Sequence, residues 1–244
     1  MHSPSAQADN SILASLPAGE QQRLRKLCAP VVLASGTVLQ DSGSPIRSVY
    51  FPLSGMISIV ASLADGAAVE VGVIGREGVL GFEMLLGGTM AANLAVVQQD
   101  GNGLRMDAKV FRKELERLPA LKDATGHAAL LFLDQVSQTV ACNGRHNVEQ
   151  RCARWLLMTR DRVGADSFSL TQEFLAQMLG VRRAGVSAAA GALRSAGLIT
   201  YRRGEVVVLD RRGLAAASCE CYRILKTHTK ARARTAYAST DVAP

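Results

Sequence analysis

Residues 172–191 read QEFLAQMLGVRRAGVSAAAG, and their spacing is that of two short helices meeting at a sharp turn. Such a unit needs apolar side chains where the helices touch, a small one where they cross and a glycine in the turn. Leu175, Leu179, Val181 and Val186 supply the apolar positions, Ala176 the small one and Gly180 the turn. Each residue alone carries little information, whereas the combination in one window is specific. Thr171 is placed to cap the first helix, and Arg182 and Arg183 open the second, which the pattern extends to about Ala196.

The opening residues of such a second helix are the ones directed at base edges in the major groove, and arginine can make bidentate bonds to guanine O6 and N7. Arg182, Arg183 and, one turn on, Ser187 are therefore expected to read bases, with Thr171 and Gln172 positioned on phosphate. Ala188, Ala189, Ala190, Gly191 and Ala192 have no hydrogen-bonding side chain, so DNA shape or a close backbone fit must supply the remaining specificity. After Gly197, the runs 198–201 and 206–209 flank Arg202-Arg203-Gly204-Glu205, which predicts a hairpin whose arginines meet phosphate. Three helices followed by that hairpin predict a winged helix-turn-helix. Asp210 is expected to cap a last helix from about Arg211 to Lys226.

Charge agrees with this reading. The chain of 244 residues carries +7 overall, but residues 1–144 hold 11 Lys/Arg against 13 Asp/Glu, while residues 145–244 hold 17 against 8. A basic half is the electrostatic footprint of a phosphate-backbone binder. With 48% apolar and 20% charged residues, the chain is expected to be globular. Its longest apolar stretch, Ala128–Leu133, falls far short of a membrane span, so no membrane role is expected. The five cysteines are odd in number and scattered, and the N-terminus has no export signal, which points to a reducing cytoplasm.

Upstream, from Val31 to about Met106, short apolar runs at 31–33, 38–39, 49–51, 56–60, 69–71 and 94–97 are cut by Ser-Gly and Asp-Gly pairs, which predicts an antiparallel sandwich or roll. Residues 1–15 are expected to be frayed, and Asp100-Gly101 to be a turn. Gly72, Gly75, Gly78 and Gly81 are read as tight turns of positive φ leading into a short helix, Phe82–Leu86. A helical pattern from Pro119 to Cys142 then spans about 36 Å and ends at a hinge, Asn143-Gly144. More than one of its faces is apolar, so Leu130, Leu133, Val136 and Val140 are expected to pair with a twin helix. An ordinary helix inside one domain is the other reading of that pattern.

No nucleophile and base, phosphate cradle or metal set stands out, so no catalytic residue and no metal ligand are assigned and the chain is not read as an enzyme. Cys219-Glu220-Cys221 is a metal or redox candidate, but cysteines two apart on a helix point to different faces. His146 is helix-spaced with Glu149 without further ligands.

The strand and turn Tyr50-Phe51-Pro52-Leu53-Ser54-Gly55, the turn Gly78-Val79-Leu80-Gly81, the helix 119–142 and the run LTQEFLAQMLGVRRAGVS together resemble the CRP/FNR family of bacterial transcription regulators over roughly residues 15–215. The resemblance implies an α+β chain: an antiparallel β-roll of the cyclic-nucleotide-binding jelly-roll type at 15–118, a long dimerisation helix at 119–144, a winged helix-turn-helix at 145–225 and a basic tail at 226–244. It further implies a homodimer on palindromic double-stranded DNA that contacts RNA polymerase. The implied effector pocket lies at Gly81, Phe82 and Glu83.

Cyclic-nucleotide members of the family place a glutamate directly after the glycine and an Arg-Ser/Thr pair downstream. Here Phe82 follows Gly81, Glu83 stands one place late, and no Lys or Arg occurs from Phe82 to Leu104. A buried phosphate without a cation is costly, so ordinary cyclic AMP binding is not expected. An iron–sulfur cluster is not expected either, because Cys28 alone cannot supply the family's N-terminal cysteines; no cofactor is assigned and any small-molecule effector is of unknown identity. The recognition helix also departs from the family, with Ala184 and Ala188 where glutamate and a second arginine are common. The rival reading is a ligand- or redox-sensing module acting through protein partners rather than DNA.

Overall fold

The computed structural model describes residues 9–238, with the backbone alone at Lys230 and at 232–238. The architecture is α+β: antiparallel N-terminal sheets, a long helix and a C-terminal winged helix-turn-helix. The chain divides into two compact units, one containing residues up to Ser58, Val73–Leu133 and the chain from His228, the other Ile59–Gly72 and Asp134–Thr227.

The N-terminal part begins with α1 (Ser11–Ala14) and α2 (Ala18–Leu27). Residues 9–15 are ordered by burial rather than frayed, while residues 1–8 lie outside the described chain. Asn10 is wholly buried; its side chain accepts from the Ile12 and Leu13 amides and donates to the Pro52 and Gly78 carbonyls. The strands that follow are β1 (Ala29–Leu33), β2 (Val38–Gln40), β3 (Ser48–Pro52), β4 (Met56–Ser62), β5 (Ala68–Ile74), β6 (Leu94–Gln99) and β7 (Gly101–Asp107). They form two sheets, ordered β1-β7-β3 and β2-β6-β4-β5.

β7 is a correction to the sequence reading, which expected a turn beginning there. It pairs antiparallel with both β1 and β3, Leu104 standing opposite Pro30 on one side and Phe51 on the other. Its glycines are what disguised it. A Cβ at Gly101 would lie 2.3 Å from the Ser54 carbonyl oxygen, and one at Gly103 would lie 3.0 Å from that of Phe51. Close backbone approach therefore demands residues of poor strand propensity.

The glycine series is also corrected: of Gly72, Gly75, Gly78 and Gly81, only Gly81 takes a positive φ, +100°. Gly72 lies within β5. The short helix Phe82–Leu86 does form, as a 3-10 turn. The core of this unit gathers Leu13, Leu24, Val49, Phe51, Met106, Phe111 and Leu121, with the Phe51 and Phe111 rings edge to face at 5.9 Å. Phe111 belongs to α3 (Ala108–Arg117), capped by Asp107, whose side chain accepts from the Lys109 and Val110 amides.

α4 (Pro119–Arg145) runs past the expected hinge without a break. Gly144 has no positive φ, and the His146 amide still donates to the Cys142 carbonyl at 3.0 Å. The break falls instead at Asn147, whose side chain and that of Gln150 cap α5 (Val148–Val163) reciprocally. Leu130, Leu133 and Val140 of α4 are 45%, 58% and 68% exposed, and Val136 is half-buried.

The remaining elements are β8 (Ser167–Ser169), α6 (Gln172–Leu179), α7 (Arg183–Ser195), β9 (Ile199–Arg202), β10 (Glu205–Val208), α8 (Arg211–Ala217) and α9 (Cys221–Ala238). The expected last helix, 211–226, is thus two. Ser218 takes an extended backbone and ends α8, and α9 continues to Ala238, so helix covers much of the segment read as a basic tail. The tips of β4 and β5 belong to this unit: Trp155 on α5 donates from Nε1 to Glu70 Oε1 on β5 at 3.0 Å, with both residues buried.

Candidate nucleic-acid interface

The two helices of the quoted window meet through Leu175, Ala176, Leu179, Val186 and Leu193, all buried. Gly180 makes the turn at φ +61°. Thr171 caps α6 through Oγ1, which accepts from the Phe174 amide at 3.1 Å, and buried Arg151 donates to the Leu179 carbonyl at the other end. Arg182 is the N-cap of α7 rather than its first residue, with Arg183 at the first helical position.

Val186, Ala189, Ala190 and Leu193 turn one face of α7 inward, which leaves Arg183, Ala184, Ser187, Ala188 and Ala192 exposed on the other. The outward face thus offers a guanidinium, one hydroxyl and a smooth run of methyl groups. Ser187 does not stand free: its Oγ donates to Gln172 Oε1 at 2.7 Å, which joins the start of α6 to the outer face of α7. Gln172 is therefore a positioning partner of Ser187 as well as a phosphate candidate.

The predicted hairpin is the β9–β10 pair, and β8 joins it to give a sheet ordered β8-β10-β9, a third strand that the sequence reading missed. Its turn is Arg203-Gly204, at φ +51° and +80°. Positive φ at both positions matches the twist of a two-residue hairpin. Arg202 and Arg203 are exposed at its tip. Tyr201 Oη donates to the Leu170 carbonyl at 2.7 Å and ties the wing to the strand that leads into α6. Burial pushes the Tyr201 phenol up to about 12, and the charge of Arg183 acts on it in the opposite sense.

Two other arginines of this unit are held by carboxylates. Arg160 pairs with Asp161 and Asp166, and Arg211 with Asp161, where Lys226 joins them. Among the described residues Arg182, Arg183, Arg202 and Arg203 take part in no ion pair. Four exposed, unpaired guanidiniums on a recognition helix and its wing suit a polyanion.

The Crp-like helix-turn-helix domain model matches residues 150–217, and the cyclic nucleotide-binding domain model matches residues 30–117. Solved structures share the fold over much of the chain. FixK2 from Bradyrhizobium japonicum is 17% identical with a TM-score of 0.68, covering 79% of this chain and 98% of that one. The c-di-GMP-responsive global regulator CLP of Xanthomonas campestris is 18% identical with a TM-score of 0.66, covering 80% and 100%. A CRP-family transcriptional regulator from Thermus thermophilus is 20% identical with a TM-score of 0.65, covering 77% and 96%.

The chain belongs to the CRP/FNR family. No curated protein matches its sequence significantly. Its family and structural neighbours are transcription regulators rather than enzymes, and its helix-turn-helix is a DNA-binding domain. Among the described residues no helix is long and apolar enough to cross a membrane.

In the roll of this CRP/FNR regulator, Gly81 packs so tightly on Val49 that a Cβ would meet its Cγ2 at 3.0 Å. Phe82 lies against Phe132 of α4, with ring centroids 5.2 Å apart. Glu83 is half-buried; burial pushes its carboxyl above the usual carboxylate range, and Oε2 has no hydrogen-bond partner among the described residues. The sequence also kept Cys142 and His146 apart from Cys219 and Cys221, and the structure brings these four together.

Proposed function

We propose that this regulator acts in the cytoplasm as a homodimer on a palindromic promoter site, where it contacts RNA polymerase. The observation that carries the reading is the exposed apolar row of α4. Leu130, Leu133, Val136 and Val140 fall within about 120° of one helix face, and water covers most of it in the single chain. A second copy of the same helix is the self-complementary partner that hides such a row. Two recognition helices related by that pairing would meet half-sites about one DNA turn apart.

In this arrangement Arg183 and Arg182 read guanine edges, Ser187 is held in place by Gln172, Thr171 approaches phosphate, and Arg202 and Arg203 anchor the wing on the backbone. The methyl-rich face of α7 admits few direct base contacts, so shape supplies the rest of the specificity.

The roll acts as the sensing domain, with Gly81, Phe82 and Glu83 at its effector site, and its pocket is degenerate toward ordinary cyclic AMP. What supports this is the absence of Lys or Arg from 82 to 104 and the poorly satisfied carboxylate of Glu83. An anionic phosphate would find repulsion there instead of a counter-charge.

The test is selection of bound sequences from random duplex DNA, followed by anisotropy titration of the winning sequence at several salt concentrations with wild type and Arg183→Ala. A palindrome on which the variant loses about 1–3 kcal/mol, with little loss on random DNA, is the expected result. Absence of any enriched sequence, or equal binding by the variant, overturns it.

A further inference from the structure

We infer that Cys142, His146, Cys219 and Cys221 form a closed site for a single tetrahedral divalent ion of zinc type. Their ligand atoms all lie within 4.8 Å of one another. Bonds of about 2.3 Å to sulfur and 2.0–2.1 Å to nitrogen at tetrahedral angles place sulfurs about 3.8 Å apart and sulfur and nitrogen about 3.6 Å apart. Here Cys142 Sγ is 3.5 Å from Cys219 Sγ, and Cys221 Sγ is 3.6 Å from His146 Nδ1. The spacing suits one ion, whereas a cluster would need its ligands spread over several irons.

Two local backbones make the set. Cys142 and His146 are one turn apart at the end of α4, where the helix continues past Gly144. Cys219 and Cys221 flank the α8–α9 junction, where the backbone is not helical at Cys219 and Glu220. The objection that cysteines two apart on a helix face different ways therefore does not apply to them.

The surroundings are those of a built site. Cys142, Cys219 and Cys221 are 0%, 3% and 1% exposed, which leaves no open coordination position for water. Glu220 Oε2 lies 3.2 Å from His146 Nε2, the carboxylate partner that fixes the ring's tautomer and turns the Nδ1 lone pair to the ion. Gln138 Nε2 donates to Cys221 Sγ at 3.1 Å.

Charge balance points the same way. Three thiolates and one divalent ion leave a single negative charge. Arg151 and Arg154 on α5 are buried, both interact electrostatically with this cysteine group, and Arg154 Nε and Nη1 have no hydrogen-bond partner among the described residues. A buried guanidinium needs an anion nearby, and protonated thiols do not supply one. An ion there would lock the α8–α9 junction onto the end of α4.

The experiment uses the full untagged chain, reduced and stripped with a chelator, and titrates it with Co(II) while the visible absorption is followed. The inference expects thiolate-to-cobalt and tetrahedral d–d bands that saturate at one equivalent and vanish on addition of Zn(II). Cys219→Ser abolishes the thiolate pattern, and Cys28→Ser and Cys152→Ser leave it intact. Glu220→Ala keeps the bands but weakens affinity by about 10–100-fold; its side chain is 57% exposed, so this variant tests the site without a folding penalty. Absence of the bands in the reduced wild type overturns the inference, as do bands unchanged in Cys219→Ser or unchanged affinity in Glu220→Ala. A Cys142–Cys219 disulfide in a protein whose reduced form takes up no cobalt overturns it as well. No DNA enters these readouts, so their failure is separate from failure of the promoter-binding reading.

Discussion

Trp155 Nε1 and Glu70 Oε1, on α5 and β5, form a buried hydrogen bond of 3.0 Å within one compact unit. Trp155 is the chain's single tryptophan, so tryptophan fluorescence reports on the surroundings of this contact. Glu70→Ala leaves a buried indole donor unsatisfied and is expected to cost about 1–3 kcal/mol in urea unfolding. Glu70→Gln, which keeps an acceptor, should retain most of that stability and the wild-type emission maximum. Equal loss in both variants would mean that the acceptor is immaterial.

Arg183 and Arg203 should fail in different ways. Arg183→Ala is expected to relax specificity at one guanine of the selected site, while Arg203→Ala weakens every sequence and lowers the salt slope by about 1. Arg203 holds φ +51°, a conformation that costs a side chain about 1–2 kcal/mol. Arg203→Gly should therefore raise thermal stability while it lowers DNA affinity. Thermal melts and anisotropy on the same preparations check both directions, and a fall in stability would remove the strain argument.

Leu133→Lys with Val140→Glu puts charge on the exposed row of α4 and should leave circular dichroism unchanged. Sedimentation equilibrium is expected to shift from two copies to one, and affinity for the selected palindrome to fall by about 10²–10⁴-fold, since the half-sites are no longer engaged together. Sedimentation as one copy by the wild type itself would sink the pairing.

Glu114 is buried and receives Arg23 Nε at 2.6 Å and Nη2 at 2.7 Å, which holds its carboxyl below the ordinary 4.5. A lowered folded value stabilises the native state fully above the unfolded value and loses that contribution as pH falls through the folded one. The stability difference between wild type and Glu114→Gln should then be constant near neutral pH and shrink below about pH 4.5. Urea unfolding across that range measures it, and a difference independent of pH would discard the linkage.

What could be read from the sequence was local. The contact residues of α6 and α7, the Gly180 turn, the Thr171 cap and the wing each follow from a few neighbouring residues whose preferences agree. β7 escaped because the glycines its neighbours require also read as a turn. The continuation of α4 through Gly144 escaped because a glycine that ends helices elsewhere sits here inside one. The cysteine and histidine set could not be read at all, since Cys142 and Cys219 lie 77 residues apart and only the fold joins them. The partner of Glu70 was hidden for the same reason.

The exposed row on α4 also makes the abundance of the protein a signal in its own right. If two copies must meet to cover Leu133 and Val140, promoter occupancy at low abundance grows with the square of the free chain, and halving expression cuts it roughly fourfold. Synthesis and degradation of the regulator would then tune its promoters even with the roll empty.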